Sequence, residues 1–322
     1  MKWLDKLRNS NFDFALSGKK FFIAPIVIFL VALVLFFIPG MGFNLGLDFT
    51  GGATLTISKT DTITKDVIQT KMDEYAAEYN LKYTIVEEEN MSGSNTFTIK
   101  FNASDNNTEI LTKLSDYFND KETFGSADNV VSSGFINATT SNEKIMSVFW
   151  SILAACAGLM IYMLFRFKFT AGITTLLALA HDVLMICAFM VILHIEANTS
   201  FIAALLTVIA YSINNSLVVF DRVRYYEKNN PDNLTLAEML NKSINRTIGR
   251  CVLTVLTTLA TLITLTVISL VMWLPTLIQF ALPIIIGLLV GTYSSLFLIA
   301  PMYLQFETAR ILRKQRKKPN IH

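Results

Sequence analysis

Six stretches of mostly apolar residues, at 21–39, 147–165, 172–194, 200–220, 252–273 and 278–304, limit what this chain can fold into more than any other feature. Each is close to the roughly 20 residues that a helix needs to cross a hydrocarbon layer of about 30 Å. Only 16% of the residues are charged and 52% are hydrophobic, against about 25% charged in soluble domains. The pattern predicts an α-helical membrane protein with six transmembrane helices. The first stretch is too long for the apolar core of a removed signal peptide and ends at Pro39-Gly40. The nearest small-x-small triplet, Gly40-Met41-Gly42, matches A-x-A poorly, so the stretch reads as a retained signal-anchor helix.

Charge orients the chain. Residues 41–146 carry 16 acidic and 8 basic residues, and the remainder carries 9 acidic and 19 basic. The basic excess lies in the N-terminal tail (Lys2, Lys6, Arg8, Lys19, Lys20), in the turn holding Arg166 and Lys168, in the 221–250 loop and in the cluster from Arg310 to Lys318. The positive-inside rule then puts both termini in the cytoplasm and residues 41–146 outside. The expected organisation is a cytoplasmic tail (1–20), helix 1 (21–40), an extracytoplasmic domain (41–146), helices 2–6 (147–304) and a basic cytoplasmic tail (305–322). Cys156, Cys187 and Cys251 fall in or beside membrane helices, so no disulfide framework is implied.

The exported segment has the rhythm of a small α+β domain. Ala53–Ile57 alternates as a strand, and 62–79 places Ile63, Val67, Ile68, Met72 and Tyr75 at helical spacing. Tyr83–Val86 and Thr96–Phe101 read as a hairpin around Ser92-Gly93-Ser94, 107–118 as a helix, and 129–139 holds a last strand. The order β-α-β-β-α-β is ferredoxin-like. The domain has no histidine, and Glu87-Glu88-Glu89 reads as a solvated strand end rather than a metal site. With no catalytic cluster it reads as a recognition or mechanical module, not an enzyme.

Polar residues inside the apolar stretches mark where chemistry is to be sought, because hydrocarbon offers them no water. Helix 3 carries His181-Asp182, helix 4 carries Tyr211, Ser212, Asn214, Asn215 and Ser216, and Arg250 precedes helix 5. Asp182 is the one carboxylate that these helices place near mid-membrane, where it must pair or take up a proton. Tyr211, Ser212 and Asn215 share a helix face. Arg250 either reaches inward to meet Asn215 or snorkels to the interface. His181 is expected to point away from Asp182 as a polar core residue. Thr254, Thr257, Thr258 and Thr261 line one side of helix 5 and read as interhelical hydrogen-bonding groups.

Five motifs resemble those of SecF and SecD, the accessory subunits of bacterial Sec protein export. Gly46-Leu47-Asp48-Phe49-Thr50-Gly51-Gly52 resembles GLDFTGG, and Leu179-Ala180-His181-Asp182-Val183 resembles the third-helix motif of the SecF branch. The run from Tyr211 to Arg224 resembles YSINDTVVVFDRIR, Asn245–Arg250 resembles the start of the fifth helix, and Ile286–Ser295 resembles IGxxxGTYSS in the sixth. The resemblance implies a SecD-like partner, association with the SecYEG channel, a translocating polypeptide as cargo, and a bacterial cytoplasmic (inner) membrane location. It implies no cofactor and no nucleic acid, with a proton or sodium ion as the coupling ion. It assigns ion coupling to the aspartate of the IND run and to the arginine that Arg250 matches. Here Asn215 stands at the aspartate's position, and an amide does not exchange a proton near neutral pH. The stretch Val130–Thr140 also lacks the GPxVG pattern of many members.

The ion-coupling candidates are therefore Asp182, Asn215, Arg250, Ser212 and Asn214, and Asp48, Gly51 and Gly52 are expected to form the joint between helix 1 and the first strand. Three functions compete: a gradient-driven export subunit, a SecF-like scaffold without its own coupling, and a stand-alone exporter of the resistance-nodulation-division type. The last usually has twelve helices and two exported domains. The orientation is tested by cysteines at Ser94 and Ser115, which should react with an impermeant thiol reagent added outside intact cells. One at Asn233 should react only after lysis, and its labelling from outside would refute the orientation.

Overall fold

A computed structural model describes residues 13–16, 18–89, 95–102, 107–126, 128–136, 138–229, 233–272 and 274–316. Lys2, Lys6, Arg8, the Ser92-Gly93-Ser94 turn, Lys317 and Lys318 lie outside the described residues. In chain order the elements are α1 (Gly18–Phe21), α2 (Ile23–Phe37), α3 (Leu47–Thr50), β1 (Gly52–Ser58), α4 (Lys65–Tyr79), β2 (Lys82–Glu89) and β3 (Asn95–Asn102). There follow α5 (Asn107–Phe118), α6 (Lys121–Phe124), β4 (Val130–Ile136), α7 (Ala138–Arg166), α8 (Phe169–Ile192), α9 (Thr199–Asn229), α10 (Leu236–Val271) and α11 (Pro275–Tyr293). A π-helical turn (Ser294–Leu298) joins α11 to α12 (Ile299–Arg316).

Five helical spans among the described residues are long and apolar enough to cross a membrane, beginning at Asn142, Phe169, Thr199, Leu236 and Leu277. The first apolar stretch forms α2, which has 15 residues. At 1.5 Å per residue it reaches only about 22 Å. α8 is the hub, packed against α2, α7, α9, α11 and α12. Buried residues such as Ala178, Ile186, Ala204, Val208 and Leu288 fill the space between α8, α9 and α11. Gly287 and Gly291 sit one turn apart on α11. A Cβ on Gly287 would lie 2.3 Å from Val208 Cγ2, and one on Gly291 would lie 3.5 Å from Asp182 Oδ2. Small residues at that spacing let helix backbones approach closely, and here they bring α11 against both α8 and α9.

Helix ends depart from the hydropathy pattern. Helix 5, expected from 252, begins at Leu236, because Thr235 and Glu238 form a reciprocal capping box. Arg250 therefore lies within α10 and does not start it. Asp221-Arg222-Val223-Arg224, read as the start of the 221–250 loop, sits inside α9, which continues to Asn229. Residues 305–316, read as the start of a tail, continue α12, and Glu307 there is buried with its carboxylate 2.6 Å from the Thr170 hydroxyl.

Among the described residues, the segment between α2 and α7 forms a four-stranded antiparallel sheet in the order β2-β3-β1-β4. Alternation in β1 turns Ala53, Leu55 and Ile57 inward. They pack with Phe97, Ile99 and Phe101 of β3 under Ile68 and Met72 of α4 and Ile110, Leu114 and Phe118 of α5. Glu87 ends up exposed on β2, paired with Lys59 at 2.5 Å. β4 ends at Ile136 and α7 begins at Ala138, so the junction lacking GPxVG is short.

The glycine pair joins the short helix α3 to β1. Gly51 has φ 73° and Gly52 φ 138°, backbone states that favour glycine. A Cβ on Gly52 would also lie 2.5 Å from Phe101 O. Gly52→Ala combines strain with a backbone clash. Gly125→Ala has φ 77° but nothing within 4 Å of its added carbon, so it carries strain alone, on the order of 1–3 kcal/mol. Thermal denaturation of the purified protein should show a larger loss for Gly52→Ala than for Gly125→Ala, and equal losses would refute the clash.

Candidate functional site

Asp182 lies 13 residues into α8 and is 1% exposed. Its Oδ2 accepts hydrogen bonds from the Ser212 hydroxyl of α9 at 2.5 Å and from the Ser294 hydroxyl of the π-helical turn at 2.9 Å. His181 Nδ1 lies 3.0 Å from Oδ1. The imidazole therefore turns toward Asp182, contrary to the expectation that it points away. Its Nε2 is buried without a hydrogen-bond partner among the described residues. Three elements converge on one carboxylate because each supplies what hydrocarbon cannot.

This arrangement accommodates either protonation state. Ser294 Oγ also lies 3.1 Å from Gly291 O. With Asp182 ionised, both serine hydroxyls donate to it. With Asp182 neutral, its O–H can donate to Ser294 Oγ while Ser294 turns its own proton to the Gly291 carbonyl. A hydroxyl that can swap acceptors keeps both Ser294 Oγ and Asp182 Oδ2 hydrogen-bonded in either case. Sequence reasoning quoted Ser294 within the GTYSS-like run but gave it no role. A five-residue π turn, a feature frequent at functional sites, delivers it to Asp182, and apolar spacing carries no signal of such a turn.

The other candidates are not brought to this cluster. Asn215 is buried, and it makes no side-chain hydrogen bond among the described residues. Asn214 is exposed on α9. Arg250 is exposed and lines a cavity with Arg166, Arg222, Arg246 and Asp221. No hydrogen bond joins Arg250 to Asn215. The meeting foreseen between them assumed that helix 5 starts at Arg250, and the early start of α10 removes that assumption. The α10 threonines do not bridge helices either. Thr254 bonds to Arg250 O, Thr257 and Thr258 to Thr254 O, and Thr261 to Thr257 O. Among the described residues no group of three or more His, Cys, Asp or Glu is arranged to hold a metal ion.

At the opposite end of α9 the joint residue Asp48 forms a fastening. Its Oδ2 accepts from the Thr199 amide at 2.9 Å and the Thr199 hydroxyl at 2.7 Å, and Lys144 Nζ lies 3.4 Å from Oδ1. The carboxylate thus caps the positive end of a 31-residue helix. Burial works to raise its pKa, but the Thr199 bonds and the Lys144 charge outweigh burial and hold it below the ordinary value. Nearby, Gly46 N bonds to Ala197 O and Ala197 N to Asn44 O. Lys100 of β3 pairs with Glu196 at 2.7 Å.

Comparison with known proteins identifies this architecture. The family described as protein export membrane protein SecD/SecF, C-terminal, matches residues 118–309. The SecD/SecF GG motif matches residues 36–58. The protein translocase subunit SecF of Thermodesulfovibrio yellowstonii is 33% identical over 92% of this chain and 95% of its own. SecF of Borreliella burgdorferi is 31% identical over 91% and 96%. The crystal structure of Thermus thermophilus SecDF, a translocon-associated membrane protein, superposes with a TM-score of 0.72 at 28% identity. That match covers 94% of this chain and 39% of SecDF.

The Asp48 fastening makes a prediction about stability. Asp48→Ala leaves the α9 amide without its acceptor and should cost about 1 kcal/mol. Because the folded-state pKa lies below the unfolded value, the contribution is complete above about pH 4 and is lost as pH falls through the depressed pKa. The difference in melting temperature between wild type and Asp48→Ala should therefore shrink under acid. A difference that grows on acidification would show that Asp48 is not the ionised cap.

Proposed function

The chain belongs to the SecD/SecF family, and from that premise we propose that it is an accessory subunit of Sec protein export in the bacterial cytoplasmic membrane. It works beside a SecD-like subunit and the SecYEG channel, with both termini cytoplasmic and residues 41–146 outside. The apolar segments cross the membrane six times, and the exported sheet, with its β2-β3-β1-β4 order, is a ferredoxin-like module that holds and releases the emerging polypeptide. This chain matches only 39% of SecDF, which leaves ample length in that relative for a SecD-like half. Asn214 on α9 and Thr257, Thr261 and Thr264 on α10 are exposed, facing away from this chain's own core. Such polar groups in a membrane helix favour a neighbouring helix bundle over lipid.

The export subunit draws on the transmembrane ion gradient, and the observation that carries this part is the buried Asp182 with its two serine donors. A mid-membrane carboxylate whose surroundings satisfy both protonation states has the chemistry of a proton carrier. Sodium is the alternative ion, with the same oxygens as ligands. A second reading is a scaffold subunit whose coupling resides in its partner. Asn215 favours it, because an amide replaces the family's titratable group and makes no bond to Arg250 among the described residues. The stand-alone exporter is the weaker third reading, since this chain has one exported domain.

Asp182→Asn decides between the first two. The amide keeps the size of the side chain and much of the hydrogen bonding of a neutral acid but cannot exchange a proton. Export should be measured in cells or membrane vesicles with and without an imposed gradient, alongside subunit abundance and partner co-purification. The expected outcome is loss of most gradient-stimulated export at normal abundance and partner binding. Wild-type export by Asp182→Asn would remove Asp182 as the ion carrier and leave the scaffold reading.

A further inference from the structure

The described residues ahead of the first apolar helix pack onto the membrane bundle, where hydropathy alone places a tail. Phe14 and Ala15 are each 3% exposed, and Gly18 of α1 is buried. Asn241, in the second turn of α10, clamps the start of this segment. Its Nδ2 donates to Asp13 Oδ1 at 2.8 Å, and its Oδ1 accepts from the Ala15 amide at 3.0 Å. The rest of the segment grips the π-helical turn at both ends. Just ahead of the turn, the Tyr293 hydroxyl donates to Phe21 O at 2.5 Å. Within it, the Phe297 ring packs on Phe21 and Phe14, with centroids 4.7 and 5.5 Å away, and on Tyr293 at 5.3 Å. Just beyond it, Gly18 lies so close to Pro301 that an added Cβ would come 2.3 Å from the proline Cβ. Ser294, which bonds to Asp182, lies between these grips.

A single π turn inside an α-helix is an uncommon state, and it depends on what packs around it. Here the Ile299 amide bonds to Ser294 O, five residues back, where an α-helix would bond four back. Pro301 helps to place the turn, because it has no amide to give to Phe297 O and its ring crowds that carbonyl. Reversion to α-helix would rotate the two flanking helices against each other by about 100°. That rotation would carry Ser294 away from Asp182 Oδ2. We propose that Asp13–Leu16 and α1 are the positioning element for Ser294. Pinned to α10 by Asn241, they hold the π turn in the register that presents its hydroxyl to Asp182. The segment acts through the turn and not on the carboxylate itself. The proposal rests on the reading of Asp182 as the ion carrier.

Two variants of the full chain test it. Phe14→Ala removes one ring from the support. Gly18→Ala sets a carbon against Pro301 while raising intrinsic helix propensity, so a loss there comes from the contact. Export is measured in membrane vesicles with and without an imposed gradient, and hydrogen–deuterium exchange of the purified protein reports opening of the π turn. Both variants should speed exchange in the peptide holding residues 293–301 about tenfold, the scale of one aromatic pair. Exchange in the sheet domain and export without the gradient should stay unchanged, while gradient-stimulated export falls by a similar factor. Phe14→Leu, which refills the space, should restore most of both, and Val34→Ala on the exposed face of α2 should alter neither. A protected turn with normal stimulated export in both variants would overturn the proposal. So would faster exchange throughout the bundle with equal loss of export in either condition, the pattern of a merely structural contact. If Asp182→Asn exports normally, the carrier reading falls, and exchange at the turn still decides whether the segment holds it. If Asp182→Asn loses stimulation while both variants keep it, the positioning proposal alone falls. Should neither variant accumulate, Asn241→Ala, which removes the Asp13 and Ala15 bonds, decides by the same exchange measurement, and wild-type protection of the turn would overturn the proposal.

Discussion

Inside hydrocarbon, every polar group must be satisfied by the chain itself or its neighbours, and this constraint organises the membrane bundle. Isolated hydroxyls meet it cheaply, by bonding back to carbonyls on their own helix, as the α10 threonines do. A carboxylate cannot. Asp182 requires donors from two other elements, Ser212 on α9 and Ser294 on the π-helical turn, so its burial fixes where those elements lie. Gly287 and Gly291 allow the approach, and the wider π turn sets Ser294 at the angle that reaches Oδ2. Removing either serine hydroxyl would leave the buried carboxyl group short of a partner.

The Thr199 end of α9 solves the same problem where the side chains are more exposed. Asp48 on the Thr199 amide, the Gly46–Ala197 and Ala197–Asn44 backbone bonds, and the Lys100–Glu196 ion pair fasten the sheet domain to the loop entering α9. Ser212 lies 13 residues further along that unbroken helix, a distance of about 20 Å. One rigid element thus carries the domain's anchor at its tip and a ligand of the buried carboxylate in its middle. A change in how Asp182 is held therefore has a direct mechanical route to the sheet, through displacement of α9 rather than through a chain of side-chain contacts.

Much of this was legible in the sequence because the dominant forces are periodic. Alternation in Ala53–Ile57 predicted the inward face of β1, and helical spacing put Ser212 on a polar face with Tyr211 and Asn215, of which Ser212 alone bonds to Asp182. Burial of Asp182 followed from its place in an apolar run. What escaped was set by features that periodicity does not encode. Hydropathy marks where a helix is apolar, not where it ends, so the capping box that starts α10 at Leu236 went unread and Arg250 was misplaced. The turn of His181 toward its neighbour is a matter of rotamers. Ser294 depends on a single π turn, which sequence spacing treats as ordinary helix.

Asn215 and the arginine cavity are two sides of one electrostatic problem. The family resemblance sets an aspartate where this chain has an amide, and replacing a carboxylate by an amide raises the positive balance around α9 by one charge. Arg250 is then left without the anion that the resemblance would supply, and the structure finds it among three other arginines facing one carboxylate. Arginine does not relieve such repulsion by losing its proton, because its pKa lies above 12. Asp182, held on α8 by the Ser212 and Ser294 hydroxyls, and the arginines around Asp221 therefore occupy separate places in the bundle.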